Sequence, residues 1–272
     1  MPPTRASAIG WFSVRPAVAG DYAAFARLYP ELRVDDPVPS LDAWTSTISA
    51  SSWVAVGEHD VVGYTYLQEY QDTGYIRIVI VAPHARRRGV GRALMEVVAE
   101  RLRGRGINSW CLNVRPNNHA ACALYTQMGM KVQYPSTVLR VPWTALAAVP
   151  AGSATVRELL PARDRMVEVE FDLPRGQLGH VRASGRQVLE AVREPNQEPA
   201  GVTVFNSTFA SAFPFRVGDI EAVGPLLGAI RLLVPDHEFV TVVADDDARL
   251  VAMLTAAGAL IKDEILHLYG RL

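Results

Sequence analysis

Residues 76–92 read IRIVIVAPHARRRGVGR, and they restrict the fold more than any other stretch of the chain. Ile78, Val79, Ile80 and Val81 are four consecutive β-formers, so the run reads as a buried strand. Proline follows almost at once, then Arg86, Arg87 and Arg88, then Gly89 and Gly91. Beyond them, RALMEVVAERLRGRG places Leu94, Val97, Val98 and Leu102 on one helical stripe that ends at Gly104 and Gly106. Strand, glycine loop and helix in direct succession specify an α/β unit. Such a junction aims several backbone N–H groups and the positive end of the helix dipole at one point, where a phosphate can bind. Gly89 and Gly91 let the backbone approach an anion with no side chain between, and Arg86, Arg88 and Arg92 can add charge-assisted bonds. An arginine-rich loop open to solvent is the plain alternative, and Arg87 fits it best.

The flanking sequence supplies the rest of a mixed sheet. Residues 14–29 read as a short strand and a helix, with Asp21 at the helix start and Ala24, Phe25, Leu28 and Tyr29 on one face. A loop rich in proline and acid precedes a second helical piece capped by Ser40. Two β-rich runs, 53–56 and 61–70, flank the turn GEHD, and QDTG leads into a third strand over 75–81, so these three pair antiparallel. A strand over 109–114, a helix over about 118–128 closed by Gly129, and a strand over 137–141 complete the first half.

Residues 142–155, PWTALAAVPAGSAT, mix proline, alanine, glycine and serine as linkers do. The expected domains are therefore 1–145 and 156–272, joined by 146–155. The second half begins again with strand and helix, and TVRELLPARDRMVEV echoes SVRPAVAGDYAAFAR as a weak internal repeat. Strands GVTVFN, SAFPFRV and EFVTVVA, a helix in DIEAVGPLLGAIRLL, a helix closed by Gly258 and a final strand repeat the first half in outline.

At 272 residues and 49% apolar content, the chain has enough material for two cores. A net charge of -1 gives no general attraction to nucleic acid or a membrane surface, so the arginine cluster needs a local explanation. Cys111 and Cys122 are the only cysteines, which fits a reducing compartment and offers neither a disulfide framework nor metal spacing. MPPTRASAIGWF lacks the features of a signal peptide, and no stretch has the length to span a bilayer. The expectation is a soluble, cytoplasmic protein without a metal.

The loop has a more specific spacing. Arg86, two residues, Gly89, one residue and Gly91 fit Q/R-x-x-G-x-G/A. Downstream, Asn118, Ala121, Leu124, Tyr125, Gly129 and Met130 fit N-x-x-A-x-x-L-Y followed by G-F, with Met130 in the phenylalanine place. Neither element is the dinucleotide G-x-G-x-x-G or the phosphate loop G-x-x-x-x-G-K-S/T. In this order the two elements resemble the GNAT family of N-acetyltransferases, over about residues 12–142. The resemblance implies a GNAT fold of the α/β (α+β) class: a mixed central sheet with splayed strands flanked by helices, holding acetyl-CoA between residues 78–81 and 110–114. It implies that backbone groups of Val79, Ile80 and Val81 pair with the pantetheine arm. The amides of Arg86, Arg87, Arg88, Gly89, Val90, Gly91 and Arg92 would hold the pyrophosphate, with Asn118 and Ala121 beside the cofactor. Tyr125, by position alone a core aromatic on a helix, becomes the acid that protonates the leaving thiolate.

Base and acceptor rest on weaker marks. Glu69, at a strand end, is the first candidate for the base, ahead of Asp72 and His84 in turns, and each is equally readable as a surface residue. His119 reads as exposed. Glu31, Asp35, Asp36, Glu69 and Asp72 would attract a cationic amine, with Tyr64, Tyr66, Tyr70 and Trp44 as aromatic walls or as simple β-formers. The expected activity is acetyl-CoA-dependent transfer to a primary amine of a small cationic molecule, aminoglycoside-like or polyamine-like. A CoA-binding sensor without turnover is the alternative. In the second half, aligning Gly258 with Gly129 puts Leu254 in the place of Tyr125 and Asp247 in that of Asn118. VGDIEAVGPLLG stands where the arginine loop would be, and Asp219 and Glu221 repel a pyrophosphate. That half is expected to be a degenerate GNAT-like domain that shapes the acceptor cleft or mediates a homodimer, or else an unrelated α+β domain. Phe209, Phe213 and Phe215 suit an interface or a core alike.

Overall fold

The apolar residues of 53–81 fold as the antiparallel set that their turns require. In the computed structural model, which describes residues 7–34 and 37–272, the chain opens with β1 (Ser7–Ile9) and β2 (Phe12–Pro16), then helix α1 (Tyr22–Leu28) and the single turn α2 (Leu41–Ala43). Strands β3 (Ser52–Val56), β4 (Val61–Glu69) and β5 (Thr73–Val81) come next. Helix α3 (Val90–Gly104), β6 (Ser109–Val114), α4 (His119–Gln127) and β7 (Lys131–Pro142) follow. The second half carries β8 (Thr155–Glu158), α5 (Asp164–Glu170), α6 (Gln177–Ala183), β9 (Gln187–Arg193), β10 (Glu198–Asn206) and β11 (Ser211–Val217). It ends with α7 (Val223–Leu233), β12 (Phe239–Asp245), α8 (Ala248–Ala256) and β13 (Leu260–Arg271). Ser40 Oγ accepts from the Ala43 amide at 3.2 Å and caps α2, as its residue type favours. Ahead of α1, the Asp21 carboxylate accepts from the Val18 amide at 2.8 Å and from two nitrogens of Arg15 at 2.8 and 2.7 Å.

These elements form two compact units, and neither follows chain order. One comprises Met1–Asn113, His119–Lys131 and Leu268–Leu272; the other comprises Val114–Asn118 and Val132–His267. The strand expected to finish the first half is therefore a member of the second unit. There β7 pairs antiparallel with β12, from Pro142 opposite Phe239 to Ser136 opposite Asp245. Conversely, the end of β13 belongs to the first unit, where the Leu272 amide donates to Asn108 O at 3.0 Å. Buried Leu139 and Val141 mark β7 as a half-buried strand, but a period of two does not say which sheet edge a strand joins.

In the first unit the strand order is β1-β2-β3-β4-β5-β6, antiparallel as far as β5 and parallel between β5 and β6. One face of this sheet carries α3, with Gly63 and Gly74 facing Val90, Leu94 and Leu102 of the helix. Leu94, Met95, Val98 and Leu102 are buried, and at about 1.5–3 kcal/mol for each large aliphatic side chain they hold α3 on the sheet. The other face receives α1 and the turn after α2. There the Phe25 and Trp44 rings stack at 4.7 Å, Tyr64 lies 4.9 Å from Phe25, and the Tyr64 hydroxyl shares a 2.8 Å hydrogen bond with Ser52 Oγ. Trp44 and Tyr64 are fully buried, so they are core and not the walls of a cleft.

The second unit repeats the plan: β8-β9-β10-β11 antiparallel, β11 parallel to β12, with α7 between them and α8 after. Strand β9 escapes a reading by pattern, because Glu190 falls among its apolar residues. The structure buries that carboxylate completely and gives it Arg157 and Arg163, each at 2.9 Å. A carboxylate so deep depends on such partners. Of the three phenylalanines, Phe215 is core, while Phe209 and Phe213 are half-buried.

Candidate active site

A single extra residue opens the sheet of the first unit. Tyr66 pairs with Ile78, but its neighbour Leu67 pairs with Ile76, so Arg77 is the additional residue of a β-bulge on β5. The parallel ladder between β5 and β6 runs from Thr73 opposite Ser109 to Ile76 opposite Leu112 and stops there. Beyond the bulge, Val79, Ile80 and Val81 keep Thr65, Tyr64 and Gly63 of β4 on one side. Their other backbone edge faces the gap left by β6.

At the end of β5 the chain turns through Pro83–Ala85 and enters α3 with no side-chain cap. Arg87 and Gly89 both lie in the left-handed region, at φ 59° and 86°. Glycine adopts it without penalty and arginine does not, so the loop holds Arg87 under strain. Backbone that passes in and out of this region presents successive amides to one side, as anion-binding nests do. The amides of Val90, Gly91 and Arg92, first in the helix, have no helical carbonyl to bond; the first such bond runs from Ala93 to Gly89 O at 3.0 Å. A Cβ on Gly91 would stand 3.2 Å from Leu124 Cδ2 and 3.7 Å from Val81 Cγ2, so the glycine lets the start of α3 pack closely on α4. Three guanidinium groups are already engaged. Arg86 donates to Val81 O at 3.1 Å and to Glu31 at 2.5 Å, Arg88 lies 3.7 Å over the Trp11 ring, and Arg92 donates to Gln127 at 2.5 Å. The loop therefore offers an anion its amides first, with the guanidinium groups as braces.

Helix α4 packs beside this loop through Leu124 and Gln127, and Tyr125 on it is only 6% exposed. Burial pushes the Tyr125 phenol above its ordinary pKa, and the neighbouring Cys122 adds to the shift, so the proton stays on throughout the neutral range. Cys111 on β6 is buried and its thiol is pushed up to about 12, chiefly by desolvation; a thiol in that state is not a nucleophile. Asn118, exposed and just ahead of α4, donates its amide to Arg115 O at 3.0 Å and lies in the segment grouped with the second unit. Ala121 is half-buried on α4.

The expected acidic residues are not gathered into one cleft. Glu69 Oε1 accepts from Arg101 Nε at 2.6 Å and Oε2 lies 3.4 Å from Arg105 Nε. Both arginines are at the end of α3, so Glu69 ties the helix to the sheet and is not a poised base. Glu31 is the partner of Arg86 near the end of β5. Asp72 sits in the turn before β5, its Oδ1 accepting from Thr73 Oγ1 at 3.0 Å. The nine-residue strand between them is about 27 Å long. Asp35 and Asp36 lie outside the described residues. His84 and His119 are exposed. Tyr66 is half-buried beside the bulge and its hydroxyl accepts from Gln68 Nε2 at 3.4 Å, while Gln68 Oε1 accepts from Tyr70 at 3.3 Å. Arg77, which the motifs do not single out, carries a mark of its own: it is the one charge in the apolar run YIRIVIVA.

Residues 22–130 match the model of the acetyltransferase (GNAT) family. Over 69 residues, 25% of this chain and 47% of the relative, the chain is 35% identical to the ribosomal protein bS18-alanine N-acetyltransferase of Escherichia coli strain K12. Over 128 residues, 45% of this chain and 66% of the relative, it is 28% identical to the L-2,4-diaminobutyric acid acetyltransferase of Nocardia farcinica. The chain thus spans about half the length of the first relative and about two thirds of the second. Among solved structures, a tandem GNAT protein from the clavulanic acid biosynthesis pathway shares the fold at a TM-score of 0.61 and 20% identity, over 96% of this chain and 98% of that one. The opened sheet, the uncapped glycine loop and the buried tyrosine all fall inside the matched stretch, and residues 22–130 of this chain are an acetyltransferase (GNAT) family domain.

Proposed function

We propose that this protein transfers the acetyl group of acetyl-CoA to a primary amine of a small molecule. The observation that carries this reading is the released edge of β5, from Val79 to Val81, leading into a helix whose first amides have no cap. The residues fit acetyl-CoA on their own geometry, since the amides that open α3 have no side-chain cap and no helical carbonyl to bond. Val79, Ile80 and Val81 would pair with the pantetheine arm, and the amides from Arg86 to Arg92 would take the pyrophosphate. Asn118 and Ala121 would flank it. When bound, acetyl-CoA supplies an acyl group activated as a thioester.

Tyr125 would give its proton to the departing sulfur as general acid when the C–S bond breaks, while the neutral amine forms the new N–C bond and sheds its surplus proton to solvent. Glu69 is not carried into this mechanism, because Arg101 and Arg105 already hold it. The two relatives are named for acetylating amino groups, alanine in a ribosomal protein and 2,4-diaminobutyric acid, which supports an amine as acceptor. The second unit is read as a degenerate copy without a cofactor site.

A thiol-release assay with acetyl-CoA, run across aminoglycosides, polyamines, amino acids and peptides, tests the reading. Thiol release that depends on an amine is the expected result. Binding of coenzyme A with no thiol release for any amine would sink it and leave the alternative of a sensor without turnover.

A further inference from the structure

Arg77 stands where β5 leaves β6, and like Arg88 and Arg92 it bears on something other than a carboxylate. In the first unit Arg15, Arg27, Arg86, Arg101 and Arg105 each face a carboxylate. Among the described residues Arg77 has no such ion pair. Arg77 as a residue is partly open to solvent, but its charged end is desolvated by its surroundings: its Cζ lies 5.1 Å over the Tyr75 ring, and the phenols of Tyr75, Tyr70 and Tyr66 are near enough to act on its charge. Tyr70 and Tyr75 stack at 6.5 Å, and buried Gln68 links Tyr66 to Tyr70. A cation rooted in a strand bulge and ringed by hydroxyls and an amide is poorly explained as solvated decoration.

The two faces of the sheet give this group a side. Gly63 and Gly74 point at α3, so Tyr66 and Gln68, which alternate with Gly63 along β4, point away from it. Tyr125 comes from α4, which packs on the N-terminal end of α3. The Arg77 group therefore lies on the face of the sheet away from α3, beside the opening that begins at the bulge.

We propose that Arg77, with Tyr66, Gln68 and Tyr75 around it, binds a carboxylate on the acceptor, which makes the acceptor a small amino acid and not a polyamine or an aminoglycoside. The inference rests on the acetyl-transfer reading for its chemistry. A guanidinium fork matches a carboxylate with two parallel N–H···O bonds. Tyrosine walls keep water back and strengthen the pairing. A positive charge that faces no carboxylate among the described residues also repels a polycation and favours the neutral, attacking form of an amine brought close to it.

The test uses the full chain and pairs of acceptors, namely glycine, alanine, ornithine and lysine against their carboxamides, with spermidine as a polycation. Free acids are expected to exceed their amides in kcat/KM by roughly 10- to 100-fold, the worth of a charge-assisted pair. Arg77→Gln should erase that preference with coenzyme A affinity unchanged by calorimetry, and Arg77→Lys should keep part of it. Equal rates on acids and amides, or a preference that survives Arg77→Gln, overturn the proposal. If no amine releases thiol, acetyl transfer itself fails and binding decides the matter. Saturation-transfer NMR should then show glutarate, and not glutaramide, on the CoA-loaded chain, with the signal lost in Arg77→Gln; no glutarate signal overturns it.

Discussion

The two units open their sheets by the same device and treat the opening in opposite ways. In the first, Arg77 is the extra residue and the parallel ladder stops at Ile76. In the second, Thr203 pairs with Phe215 and Phe205 with Ala212, so β11 spends three steps against two on β10, and its parallel ladder with β12 stops at Ala212. Past that point the first unit leaves backbone facing a gap. In the second unit Arg216 reaches across, with Nη2 3.1 Å from Asp245 Oδ2 and Nη1 donating to Asp245 O at 3.2 Å. Arg216 also donates to the Tyr134 hydroxyl at 3.1 Å, and Tyr134 stacks on His267 at 4.6 Å. Neither α3 nor α7 has a side-chain cap, but the turn Ile220–Ala222 just ahead of α7 does, where Asp219 Oδ1 accepts from the Glu221 amide at 3.0 Å. Leu254, fully buried, stands on α8 where Tyr125 stands on α4. The scaffold supplies an opening twice, and side chains decide whether it is a site.

The largest expected effect tests the tyrosine against its leucine counterpart. Tyr125→Phe should lower amine-dependent thiol release about 10²- to 10⁴-fold, the range for losing a general acid, with coenzyme A affinity by calorimetry nearly unchanged. Unaltered turnover would mean that the difference between Tyr125 and Leu254 is one of packing only. Next comes the closure of the second opening. The Asp245 side chain is 4% exposed, and burial holds its pKa above the ordinary value while Arg216 and Ser136 pull it back. Arg216→Ala leaves that carboxylate without its main partner, and denaturant unfolding should show a loss of about 3–5 kcal/mol. The double variant Arg216→Met, Asp245→Leu should recover most of it. A single-variant cost below about 1 kcal/mol, the worth of a surface pair, would show that the pair does not close the opening.

Acid should separate the units further. His267 is pushed down to about 4 from 6.5, first by burial and then by the charge of Arg216. Between those values the unfolded chain binds a proton that the folded one refuses. The stability is therefore complete above about pH 6.5 and is lost as pH falls toward 4, by roughly 3 kcal/mol in all. His267→Phe keeps a ring against Tyr134 and removes the titration. Melting curves of variant and parent should differ in slope only within that window, and parallel curves would refute the assignment. Asp245, whose shift has the opposite sign, is present in both chains and drops out of the difference.

How far these features can be read in the sequence follows from their range. The order of strands and helices is local, carried by runs such as 78–81 and by stops such as Gly129 and Gly258, both at positive φ. The glycine loop is legible for the same reason. Which sheet β7 joins depends on a partner a hundred residues away at Phe239–Asp245, and no local period encodes it. The bulge at Arg77 leaves a trace as a lone charge in an apolar strand, but its geometry comes from the pairing with β4. Glu69 shows the opposite failure: its type and place suit a base, and only the fold reveals Arg101 and Arg105 beside it. Charges read from sequence come without their partners.

The smallest expected effect asks whether a single carboxylate keeps the second unit silent. Asp219 caps the turn Ile220–Ala222 ahead of α7 through the Glu221 amide and pairs with Arg193 at 2.8 Å. Asp219→Ala should cost about 1 kcal/mol, as the loss of a cap does, read as a small shift of the denaturation midpoint. It should not create a second binding site for coenzyme A, because the segment around Pro150 already covers that helix end. A Cβ on Gly224 would stand 2.1 Å from Pro150 O, and one on Gly152 would stand 1.9 Å from Glu221 O. No phosphate fits where not even a methyl group does. Calorimetry on Asp219→Ala should therefore still find one equivalent of coenzyme A per chain. A second equivalent would mean that charge alone separates the two loops, and the covering segment would then have to be regarded as displaceable by a ligand.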